Sequence, residues 1–188
     1  MTDLDLSSLF ADQLEWHWTN QLRERLAGLT DEEYFWEPVA DCWTVRPRGT
    51  GTAPIQAGSG AMTIDFGFPP PEPAPVTTIA WRLAHLVVGV LGARIHGHFG
   101  GPAYDYESYD YPATAQESLA QLDRLVERWI AGVRGLDDAA LAAPCGPSEG
   151  PWAEHPMAEL VLHINREVIH HGSEIALLRD LYAHRPMR

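Results

Sequence analysis

Between Glu159 and Tyr182 the sequence reads ELVLHINREVIHHGSEIALLRDLY, and His163, Glu167, His170, His171 and Glu174 in it all carry metal-capable side chains. Glu167 and His171 are four residues apart, one turn up the same side of a helix, so the two can share one ion. The same pair also reads as an intrahelical hydrogen bond on a wet surface. His170 and His171 point about 100° apart, so only one of them shares the Glu167 face. His163 lies about 12 Å from His171 along a helix and is no substitute for Glu167. A third donor has to come from another element. His85 is the candidate, because it interrupts a run that is apolar nearly all round through Val90. Two imidazoles and one carboxylate would leave a coordination position open, which marks catalytic rather than structural zinc. HExxH is absent, which excludes a zincin protease.

The elements that must position these groups are legible as periodicity. Leu160, Ile164, Val168, Ile175 and Leu178 recur at helical steps with no proline between Pro156 and Pro186, which predicts a long last helix starting at His155 and Pro156. Leu9, Phe10, Leu14, Trp18, Leu22, Leu26 and Leu29 predict a first helix over 6–29. Thr30 with Glu33 forms a capping box for a short second segment that Pro38 ends. A second long helix is expected from Thr77 to His98, closed by Gly100 and Gly101. Thr114 with Glu117 caps a third, with Leu119, Leu122, Leu125, Val126, Trp129 and Val133 inward.

The connections differ in kind. Residues 39–76, rich in glycine and proline, read as one long loop, with Met62 to Phe68 alternating as a short extended segment would. Trp43 and Arg46 are pocket-lip candidates there, since an arginine beside a tryptophan can recognise a carboxylate. The tyrosine-rich stretch YDYESYDY between Pro102 and Pro112 reads as a packed lip over the site or a subunit contact. Trp81, one turn before His85, and Glu174, just past His171, are positioned to line or support the site, with core packing and a surface ion pair as the alternatives. His170 is a pocket candidate too, and as a fourth protein ligand it would close the site. The expected architecture is all-α: a single four-helix-bundle domain over 1–188, with the long loop between its first and second long helices.

Composition narrows the classes. With 45% hydrophobic residues in 188, the chain can bury one good-sized core. A formal charge of -13 argues against nucleic acid, which demands a basic surface, and against anionic membranes. All 13 basic residues are arginine, which excludes a lysine Schiff base on this chain. No apolar run spans a bilayer, and the acidic start is unlike a secretory signal, so a cytoplasmic protein is expected. Cys42 and Cys145 have no CxxC spacing and read as free, structural thiols.

LEWHWTNQLRERLAGLTDEEYFWEP, WRLAHL and HINREVIHHGSEIALLRDLY together resemble the DinB/YfiT family of metalloenzymes, in its actinobacterial branch, over nearly the full length. The resemblance implies a four-helix bundle holding a divalent metal, with ligands His85 and His171 by position. Glu167 stands where most members place a histidine, as it does in the similar mycothiol-dependent maleylpyruvate isomerases. It further implies zinc, with nickel or another ion as alternatives, a low-molecular-weight thiol such as mycothiol, a small-molecule substrate and a homodimer. The activity expected from it is thiol-dependent S-transferase, isomerase or hydrolase chemistry. A non-catalytic stress or small-ligand-binding protein, its metal site closed by His170 or a loop residue, is the alternative.

Overall fold

The computed structural model describes residues 4–186. Helix α1 covers 6–25, starting where the Asp5 carboxylate accepts the Ser8 amide at 3.0 Å and passing through a π turn at Trp18–Leu22. It ends four residues short of the expected Leu29, and Gly28, at φ 70°, turns the chain away. Helix α2, Asp31–Tyr34, has the expected Thr30 cap. Helix α3 covers 79–99, with Thr78 as its N-cap and a π segment at Leu86–Gly92. Helix α4 is Ala115–Arg134, α5 is Asp138–Ala142, and α6 is Met157–Ala183 with Pro156 as its N-cap rather than its first residue. Two short 3₁₀ turns within Pro147–Trp152, kinked at Gly150, fill what reads in the sequence as a loop.

Four long helices, α1, α3, α4 and α6, pack on one another around a continuous apolar core. The expected inward faces are buried: Leu160, Ile164, Val168, Ile175 and Leu178 on α6, and all six expected residues on α4. On α1 the stripe is less complete: Leu14 and Leu22 are buried, Phe10 and Trp18 are half-buried, and Leu9 is 43% exposed. Polar ties fix the packing. Asn165 on α6 accepts the Trp129 indole N–H at 3.1 Å and donates to the Phe10 carbonyl at 2.8 Å, joining three helices inside the core.

Between α2 and α3 the chain is not one long loop, and the fold is mostly helical rather than all-α. Strands β1 (Val45–Pro47), β2 (Ile55–Ala57) and β3 (Met62–Phe66) form an antiparallel sheet in the order β1-β3-β2. Val45 faces Ile64 in register, and Ile55 faces Phe66. β1 and β2 are three residues each, too short to display a two-residue period, so pairing with β3 rather than local pattern defines them. The sheet is bolted to the start of α3. Asp65, buried on β3, accepts the Arg46 Nε at 2.7 Å and the Thr44 amide at 3.2 Å, while its carbonyl accepts the Trp81 indole N–H at 2.8 Å. Among the described residues no helix is long and apolar enough to cross a membrane.

Candidate metal centre

α3 and α6 lie against each other so that His85 meets the Glu167–His171 face. One ligand atom from each of His85, Glu167 and His171 falls within 4.8 Å of the other two. The His85 and His171 rings stand edge to face at 4.9 Å between centroids, at 89°. His171 Nε2 is 3.5 Å from Glu167 Oε2. Donors about 2.0–2.1 Å from a tetrahedral ion sit roughly 3.3 Å apart, so this spacing suits a shared ion better than a hydrogen bond.

Each histidine is held by its other nitrogen. His171 Nδ1 is 2.6 Å from Glu174 Oε2, and a carboxylate only accepts, so Nδ1 carries the proton and Nε2 keeps its lone pair. Glu174 is anchored in turn by Arg82, whose guanidinium pairs with the same oxygen. His85 Nδ1 is 2.7 Å from the Tyr106 hydroxyl, and among the described residues no hydrogen bond engages its Nε2. Support of this kind fixes ring orientation in metal-binding histidines, and a carboxylate, as at His171, fixes the tautomer as well. The donor set and its orientation therefore fit a divalent ion.

Burial keeps both rings neutral, as a metal requires. It pushes the His85 pKa down to about 4, helped by the nearby His171, Arg94 and Arg82. His171 is also lowered, mainly by burial, with Glu167 pulling the other way. Tyr106 is raised to about 12 by burial, so its hydroxyl stays protonated.

Trp81 and Glu174 both lie beside the cluster. Trp81 stacks on His85 at 5.4 Å and 22°, besides donating to Asp65. Glu174 is the His171 support rather than a surface ion pair alone. His170 points outward, its side chain 62% exposed, with Nε2 at 3.6 Å from Glu174. His170, His171 and Glu174 form a second cluster of metal-capable atoms. Its Glu174 is already engaged by Arg82 and the His171 N–H, which makes it an outer support of the first cluster. Trp43 is further out, tilted on Phe66 at 5.8 Å, which stacks on Tyr106. The Arg46 guanidinium is spent on Asp65, Glu37 and the Cys42 carbonyl. Cys42 and Cys145 are free and buried, and burial raises both thiols.

Sequence reasoning passed over Arg82 and Tyr106, and the glycines that seat the tyrosine loop. A Cβ at Gly89 would collide with the Tyr106 hydroxyl and one at Gly92 with the Tyr104 ring. Two glycines three residues apart inside an apolar helix were the available signal, since glycine there costs about 1 kcal/mol against alanine and is kept for close approach. A family model described as the DinB superfamily matches residues 13–175. The chain belongs to the DinB superfamily. That span takes in all three members of the cluster. No curated protein and no solved structure matches this DinB-superfamily chain.

Proposed function

We propose that this member of the DinB superfamily is a divalent-metal-dependent enzyme whose ion is held by His85, Glu167 and His171 with one coordination position open. The observation that carries this is the convergence of the three donors within 4.8 Å while Tyr106 and Glu174 occupy the opposite ring nitrogens. Two imidazoles and a carboxylate are a catalytic zinc set, so zinc is the proposed ion, ahead of nickel. When bound, such an ion supplies Lewis acidity that lowers the pKa of a thiol or water at the open position. Glu174 and Tyr106 hold the two imidazoles in place, and Arg82 holds Glu174 aimed at His171. Trp81 covers one face of His85 and excludes water from it.

The chemistry proposed is thiol-dependent S-transferase, isomerase or hydrolase chemistry on a small molecule, with a low-molecular-weight thiol such as mycothiol as cosubstrate. The four long helices form the bundle that carries it, in a cytoplasmic homodimer. The exposed Leu177 and Leu181 on α6 support a contact between copies.

Elemental analysis of untagged protein tests the core of the proposal. About one ion per chain is expected in the wild type, with loss in both His85→Ala and Glu167→Ala. A wild type that takes up no metal even after addition would refute it. Turnover of a thiol with an electrophile should then vanish with chelator. A metal-replete protein inert across a broad thiol and ester panel would remove the enzymatic part.

A further inference from the structure

Toward the N-terminal end of α6, a cleft of about 430 Å³ opens between this helix, Arg94 on α3 and the Pro147–Trp152 turn. Its size is within the usual range for small-molecule pockets, about 300–1,000 Å³. The floor is a closed polar network. Glu149 receives His98 Nε2 at 2.9 Å and stands 3.3 Å from Arg94, with the His98 and Glu149 side chains only 4% and 6% exposed. Arg94 also donates to the Gly89 carbonyl inside the π segment. Leu160 and Trp152, the latter 61% exposed, give the cleft an apolar side.

The rim on α6 is different. Arg166 Nη2 lies 2.6 Å from His163 Nδ1. A guanidinium nitrogen can only donate, so Nδ1 accepts and the ring proton is on Nε2, a free donor. Glu167 is the nearest acid to both, yet at 3.7 Å from His163 and 3.9 Å from Arg166 it is beyond hydrogen-bond distance. The acids of the cleft itself are taken: Glu149 by His98 and Arg94, and Glu159 by His155 at 2.9 Å. In a chain of net charge -13, this cleft sets two arginines against two glutamates and has spare donors on one edge. With both cleft glutamates paired, an anion meets less repulsion here than over most of the surface.

We propose that the cleft binds an amphiphilic carboxylate, its apolar body on Trp152 and Leu160 and its carboxylate on Arg166 and His163. The remaining N–H groups of the exposed Arg166 guanidinium, beside the His163 ring N–H, match a planar monoanion, which accepts two parallel N–H groups. A dianion would need a second free cation, and Arg94 is committed to Glu149. Binding requires no ion at the neighbouring cluster, because neither His85 nor His171 contributes.

Isothermal titration with phenylbutyrate and its neutral counterpart phenylbutanol tests this on the full chain. Wild type should prefer the carboxylate by about fivefold or more, a modest ratio because Arg166 is largely exposed. Arg166→Gln should bring the ratio to about one, and Trp152→Ala should weaken both compounds alike, by about fivefold. Compared in the same chelating buffer, so that Glu167 carries the same charge in each, wild type and His85→Ala should give the same values. Both probed side chains are exposed, so the fold is not at stake in either variant. No binding of either compound, no preference in the wild type, or a preference that survives Arg166→Gln overturns the proposal. A preference that disappears in His85→Ala assigns the anion to the metal cluster and overturns it equally.

Discussion

α3 contributes a histidine to a glutamate near each of its ends, and the two sites leave their ring nitrogens in opposite conditions. At His98 the ring nitrogen Nε2 is spent directly on Glu149 at 2.9 Å, and Arg94 balances the charge. The Glu149 carboxyl is accordingly held below its ordinary value, first by the His98 hydrogen bond and against the cost of burial. At His85 the nitrogen that faces the glutamate is unspent, because Tyr106 takes the other one. Nothing there offsets the burial of a charged ring, and its pKa falls to about 4. Burial and a glutamate neighbour are common to both sites, so neither identifies a metal site. The unspent nitrogen at His85, converging with Glu167 and His171, is what lets that cluster hold an ion.

The largest contrast should be in metal content. His85→Ala is expected to weaken metal binding by more than about a hundredfold, while His98→Ala changes it by less than about twofold, read by chelator competition. Equal losses in the two variants would erase the distinction. Stability should respond in the reverse sense: His98→Ala strips a buried carboxylate of its closest donor and should cost about 2 kcal/mol in urea unfolding. A smaller, more specific effect is expected from Glu174→Gln, which keeps the shape of the His171 support but removes its charge. Metal affinity should fall by about tenfold with little change in unfolding midpoint. An unchanged affinity would make Glu174 a surface partner of Arg82 alone.

The smallest effect is in pH dependence. Since the Glu149 pKa is depressed in the folded state, its contribution to stability is present above the ordinary carboxyl value of 4.5 and is lost as pH falls through the lower folded value. Wild type should therefore lose about 1 kcal/mol more than Glu149→Gln on acidification below that point, measured by chemical denaturation at each pH. Parallel curves for the two proteins would mean that His98 and Arg94 do not hold the carboxylate ionised.

What could be read from the sequence alone follows from local spacing. The helical period of α4 and α6 marks the inward residues, and Thr30 and Thr114 cap where a hydroxyl followed by a glutamate says they must. The four-residue step of Glu167 and His171 places two donors on one face, because the geometry of a single helix requires nothing from the rest of the chain. Neither the sheet over 45–66 nor the Arg46–Asp65 tie is local: short strands are defined by partners 7 to 19 residues away, and their own pattern is too brief to show it. The completion of the cluster belongs to the same class. His85 is 82 residues from Glu167, so only the packing of α3 on α6 brings them together. At His85 a tertiary contact, Tyr106 seated on Gly89, occupies one ring nitrogen, while at His171 the local Glu174 does so and the tertiary contact is the Arg82 that steers it.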